Sequence, residues 1–212
     1  MTFSIGSNIS KGATIAGVLV LIMAAGCSKG SSPTSSNNDL TDTQTLALGW
    51  QNFEAGRYDA AVTNFTTVNN QSTSAAIRGE ALCGRGWSYM NQRNLPWAKS
   101  DFALASGLSS VSSGVLDDIR TGQAFTLFAL NDFSGASTSA AAALSDNPTY
   151  SFSHQAKVTT KRVRLLLAQC YFGSGQFSTA ATQLDIVDPA QAPHSADPSV
   201  LLQSITFLLS SL

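Results

Sequence analysis

Charge is what this chain has least of. Asp, Glu, Lys and Arg make up 12% of its 212 residues, about half the share of an average soluble domain, and the formal net charge is −1. That balance leaves no electrostatic footprint for nucleic acid or for an anionic membrane surface. Histidine is scarce as well. His154 and His194 are the two present, and neither has a Cys, Asp or Glu at metal-ligand spacing, so no metal is expected. No Gly-x-Ser-x-Gly elbow, phosphate loop or dinucleotide fingerprint occurs, so the chain is read as a non-enzyme without a cofactor. Alternating strand patterns are lacking throughout, which points to an all-α fold.

The apolar stretch from Gly12 to Ala25 is too short to cross a bilayer, which takes about 20 residues. It follows a polar segment with one positive charge, as the apolar region of a secretory signal does. It ends in Ala24-Ala25-Gly26-Cys27, which resembles the bacterial lipobox, with Ala24 where that motif usually has Leu. The resemblance implies cleavage before Cys27 and a lipid on its sulfur. With Ser28 in the next position it also implies sorting to the outer membrane, facing the periplasm. Residues 28–38, rich in Ser, Asn and Gly, read as a leash between anchor and domain. The remaining cysteines, Cys83 and Cys170, fall in helices of separate repeats and are expected to be buried free thiols.

The body repeats itself. Gly49-Trp50 recurs 37 residues on as Gly86-Trp87, with Ala61 as Ala98 and Phe65 as Phe102. Extending the template reaches Ala136 and Ala180 at looser spacings of 38 and 44 residues. Leu48-Gly49, Gly56-Arg57-Tyr58, Ala61 and Phe65 in the first unit resemble the tetratricopeptide repeat. So do Gly86, Tyr89, Ala98 and Phe102 in the second. The third unit keeps Phe133, Ala136 and Pro148, and the fourth Tyr171, Gly175, Phe177 and Ala180. The resemblance implies an all-α solenoid of about four helix pairs. Helices are expected at 42–54 and 58–69, 74–91 and 95–106, 115–130 and 134–145, and 156–173 and 177–186, with links at 109–114 and 146–153. A charge-free apolar helix over 199–212 follows a Pro-rich link and must be buried somewhere. The chain divides into a signal (1–26), a lipid-anchored linker (27–40), the repeat domain (41–190) and the link with its terminal helix (191–212).

In that family the first helix of each pair lines the concave face. The positions aligned with it are Trp50 and Phe53, Trp87 and Met90, Phe125 and Phe128, then Gln169 and Phe172, each pair spaced i, i+3. The same residues read without the family are core, and the apolar tail 199–212 is a third candidate, as occupant of the groove. Clamping of a C-terminal carboxylate is not expected. Arg162 is the one basic residue placed in the groove, and Lys161-Arg162-Arg164 reads as a solvated face. Asp117-Asp118 reads as favouring a helix N-terminus. The function implied is a protein-interaction scaffold at the bacterial envelope, accessory to outer-membrane assembly or to a secretin or pilus machine. An envelope carrier of lipid or hydrophobic peptide, or a purely structural lipoprotein, is the alternative.

Overall fold

Alanine, glycine and serine at fixed spacings let helices approach closely, and the computed structural model, which describes residues 41–212, builds nine helices on that basis. The expected signal and linker, with Cys27, lie outside the described residues. The helices are α1 (Asp42–Glu54), α2 (Tyr58–Gln71), α3 (Ala75–Asn91), α4 (Leu95–Ser106), α5 (Ser113–Ala129), α6 (Phe133–Asp146), α7 (Thr160–Gly173), α8 (Phe177–Val187) and α9 (Pro198–Ser210). They pack as four antiparallel pairs stacked in order, with α9 after the fourth. The stack opens at Thr41, whose hydroxyl accepts from the Gln44 N–H while the Gln44 side chain accepts from the Thr41 N–H, a reciprocal cap.

The turn inside each pair is the same object four times. Gly56, Arg93, Asn131 and Gly175 all have positive φ, between 60° and 75°. The residue after each donates its N–H back across the turn, to the carbonyls of Asn52, Tyr89, Leu127 and Tyr171 respectively. These turns fix the register of the third repeat: Phe125 and Phe128 stand where Trp50 and Phe53 do in the first.

Two corrections concern the stretch before α7. A helix was expected from 156 and a link over 146–153, but α7 begins at Thr160 and the link runs over 147–159. Thr160 N–H donates to Tyr150 O, Phe152 N–H to Val158 O, and Val158 N–H to Gln155 O. Ser151 and Thr159 form an antiparallel bridge. Backbone groups that a helix would have used are thus spent closing a loop on itself.

The terminal segment forms α9 as expected, with Asp197 capping it through the N–H groups of Ser199 and Val200. Leu201, Ile205 and Leu208 bury against Leu165, Ala168, Ala181 and Leu184 of α7 and α8. Its other face leaves Val200, Leu202 and Phe207 exposed, Phe207 by 69%.

Candidate functional site: a concave groove filled by its own chain

The inner wall of the stack is built by the first helix of each pair, and its aromatic residues meet there as the spacing implies. Trp50 and Phe53 lie edge to face at 5.7 Å, and Trp50 also touches Phe65 at 5.0 Å. Trp87 contacts Phe102 at 6.0 Å and Phe125 at 6.3 Å. Trp50, Phe53 and Trp87 are buried, whereas Met90, Phe125 and Phe128 are partly buried against the main core. Phe172 packs apart from them, with Phe177 and the α9 cluster.

The occupant is neither solvent nor α9. It is the loop 147–159, here called the strap. Phe152 is fully buried, stacked on Trp87 at 4.5 Å and 23° and edge-on to Trp50 at 6.0 Å. His154 lies flat on Trp50, 3.8 Å away with the rings 2° apart, and its Nδ1 is 2.7 Å from Glu54 Oε1. Tyr150 OH donates to Asp118 Oδ1 at 2.8 Å. The indole N–H groups behind the strap are satisfied too. Trp50 Nε1 donates to Glu80 Oε1 and Trp87 Nε1 to Asp118 O, both at 3.1 Å. Asp118 is therefore a bracket between α3, α5 and the strap rather than a helix-terminus charge. Burial pushes its carboxyl up to about 7, with the charges of Asp117 and Glu80 adding to the rise against the Tyr150 hydrogen bond. Burial also raises the Tyr150 hydroxyl and the Cys83 thiol, with Asp118 acting in the same direction on both. Cys83 and Cys170 are free and buried; burial pushes Cys170 up to about 12.

The tail helix lies at the other end of the wall. Leu202 and Leu209 share a shallow hollow with Phe128, Gln169 and Phe172, while Leu212 reaches the neighbourhood of Phe125 and Arg162. The tail is thus against the fourth-repeat end of the groove, and the strap fills the first two repeats. Where they approach, a hollow of about 350 Å³ is bordered by Trp87, Met90 and Phe125 of the wall, Gln155 and Lys157 of the strap, Arg162, and Leu212 of the tail.

The packing positions named from the repeat pattern sit at the helix crossings. Ala61, Ala98, Ala136 and Ala180 are fully buried, as are Phe65 and Phe102. A Cβ on Gly49 would stand 2.6 Å from the Phe65 ring and one on Gly86 2.9 Å from Phe102. A Cβ on Gly84 or Gly122 would come closer still to the same two rings, at 2.3 Å in each case. Tyr58 and Tyr89 pack partly buried on the main core, and Tyr171 bridges both clusters.

The strap was not foreseen, although it left two traces. The spacing from the third unit to the fourth is 44 residues against 38 before it, and Tyr150-Ser151-Phe152-Ser153-His154 alternates large and small.

A stack of short helix pairs with matched turns and small residues at each crossing defines a tetratricopeptide-type helical-repeat fold. Solved structures of this architecture include MamA from AMB-1, with 16% identity, a TM-score of 0.57 and coverage of 80% of this chain and 88% of that one. MamA from MSR-1 matches at 15% identity and a TM-score of 0.56, covering 80% and 86%. The kinesin light chain TPR-like repeats of Podosopora anserina match at 14% identity and 0.56, covering 80% and 94%. At such identities the likeness is one of fold. No family model and no curated protein matches the sequence.

Proposed function

We propose that this chain is a non-catalytic protein-interaction scaffold of the bacterial envelope, tethered through a lipid on Cys27 to the periplasmic face of the outer membrane. A tetratricopeptide-type fold suggests a scaffold, and the observation that carries the reading here is the divided concave face. Its first half is closed by the strap, and the remaining hollow combines an apolar floor with two cationic side chains. A carrier of lipid or hydrophobic peptide fits less well, because Phe152 takes the space that an apolar cargo would need. The anchor rests on Ala24-Ala25-Gly26-Cys27 and the Ser/Asn/Gly-rich segment after it. Accessory service to outer-membrane assembly or to a secretin or pilus machine is the setting such an anchor suits.

Detergent phase separation of wild type and Cys27→Ser tests the anchor. The wild type should enter the detergent phase with a mature mass that starts at Cys27 and includes diacylglycerol, and the variant should stay aqueous. Equal partitioning of both would sink it. Photocrosslinking in native envelopes tests the scaffold, with one probe at Phe125 beside the hollow and one at Lys99 on the exposed side of α4. A discrete protein adduct at either position is expected, and none at both would overturn the reading.

A further inference from the structure

After Arg164 the chain carries Asp185, Asp188 and Asp197 and no Lys or Arg. Asp197 is spent on capping α9. Asp185 Oδ1 holds His194 twice, accepting from its backbone N–H at 2.7 Å and standing 2.8 Å from its Nδ1. These two hydrogen bonds, the backbone one first, lower the Asp185 carboxyl, so it is an ionised acceptor and Nδ1 carries the ring proton. In the neutral ring Nε2 is then a bare acceptor. The His194 side chain is 6% exposed, and Nε2 has no partner among the described residues. Between the 188–195 link and α9 lies a trough of about 670 Å³, within the usual range of ligand sites, and His194 forms part of its wall. Asp188 lines it too, with a carboxylate that meets no cation among the described residues. The serines there are engaged: Ser204 Oγ donates to Val200 O, and Ser195 Oγ accepts from the Asp197 N–H. Val200 and Phe207, spaced i, i+7 on one side of α9 and both exposed, give the trough an apolar flank.

We propose that this trough binds a small organic amine, a primary ammonium carried on an aryl or alkyl body. The ammonium donates one N–H to Asp188 and one to His194 Nε2, and the body covers Val200 and Phe207. An anion would face Asp188 with no Lys or Arg in the lining to offset it. A neutral apolar molecule would cover Asp188 and Nε2 and leave both unpaired, so the cationic amphiphile is the chemistry that satisfies the site. Asp185 is a positioning residue, holding the ring in the tautomer whose Nε2 accepts. None of the lining residues belongs to the concave wall or to the strap, so the inference stands apart from the scaffold reading.

The test uses the full chain in non-ionic detergent at pH 8, above the ordinary titration range of imidazole, with ¹³C,¹⁵N-labelled histidine. His154 and His194 are told apart by the signals lost in His154→Gln. Phenethylamine is the probe. It should move the His194 signals and leave those of His154 in place, with a Kd of about 1 mM, as suits so small a ligand. Binding should fall as salt rises. Asp188→Asn and Phe207→Ala should each weaken it about fivefold, and Asp59→Asn, which removes the same charge from the first repeat, should not. Asp185→Asn should change the His194 tautomer, read in the ¹⁵N shifts, and weaken the amine while circular dichroism keeps the wild-type helical signal. Three relatives of the probe sort the chemistry. The trimethylammonium analogue keeps the charge without an N–H, and phenethyl alcohol keeps a donor without the charge, so both should bind more weakly. Hydrocinnamate, with the opposite charge, should not bind. The proposal fails if phenethylamine leaves His194 unmoved, if Asp188→Asn binds it like the wild type, or if any of the three relatives binds equally well. Should the peptide acetyl-Gly-Lys-Gly-amide bind as tightly as phenethylamine, a lysine of a partner protein fits the site and the small-molecule assignment is overturned.

Discussion

The first two repeats and the third fill the same crossings with bulk from opposite sides. In the first two, the ring comes from the second helix of the pair: Phe65 between Gly49 and Gly84, Phe102 between Gly86 and Gly122. Shifted by the same turns, those positions in the third repeat hold Ala140 in place of the ring, and Ala124 and Leu166 in place of the glycines. All three are buried in the same core. The fourth returns the larger side chain to the second helix of its pair, as Leu184 beside Ala168. Volume has moved from one helix to its neighbours while the crossing stayed closed, as dense packing requires. The concave side divides along the same line. Where the wall carries Trp50 and Trp87 it receives the strap, and where it carries Gln169 it is flanked by α9.

Removing the bulk should break the comparison hardest. Phe102→Ala is expected to cost about 3–5 kcal/mol, and Ala140→Gly at the equivalent position about 1 kcal/mol. Urea unfolding monitored by circular dichroism measures both. Equal losses would mean that the ring and the alanine carry the same share of the packing. Adding bulk is the next test, and it can be done within one helix. A Cβ on Gly122 would strike the Phe102 ring, whereas one on Gly114 meets nothing within 4 Å. Gly122→Ala should therefore destabilise by about 1–3 kcal/mol. Gly114→Ala should stabilise by about 0.4–1 kcal/mol through the unfolded state. The same sign for both would show that helix propensity, not the clasp, governs α5.

The solenoid was legible because its signals are local and recur. A small residue at each crossing and a turn that accepts positive φ can be read one repeat at a time, which is why α1 to α6 fall within two residues of their expected bounds. The register of the wall positions was legible for the same reason, since the turns at Gly56, Arg93, Asn131 and Gly175 repeat it. What fills the groove was not. Phe152 meets Trp87 across 65 positions of sequence, and His154 meets Glu54 across 100. No periodicity reports such a meeting. The alternation of Tyr150, Phe152 and His154 marks them as facing one way but does not say what they face. Arg162, read with Lys161 and Arg164 as a solvated face, borders a hollow with Lys157 and Phe125, a neighbourhood that only the fold reveals.

The smallest expected effect separates the two halves by their titration. Asp118 is surrounded by Tyr150 of the strap, by Asp117 and Glu80, and by Cys83, and its carboxyl is raised to about 7 chiefly by burial. With the strap closed, Asp118 holds its proton more tightly than in an open or unfolded chain, where a carboxyl titrates near 4. Closure is then strongest at low pH, weakens as pH rises from about 4 through about 7, and is flat beyond. At the other end of the molecule, Asp185 is lowered by the hydrogen bonds from the His194 backbone N–H and side chain, so its contribution is lost as pH falls. Tryptophan fluorescence of the strap against Trp50 and Trp87, followed from pH 5 to 8, should therefore shift toward the open signal in the wild type. Asp118→Asn should flatten that profile, and Asp185→Asn should leave it in place. A wild-type profile that is already flat, or one that survives Asp118→Asn unchanged, would mean that the strap is held by the stacking of Phe152 and His154 and by the His154–Glu54 contact, with Asp118 a passive acceptor for Tyr150.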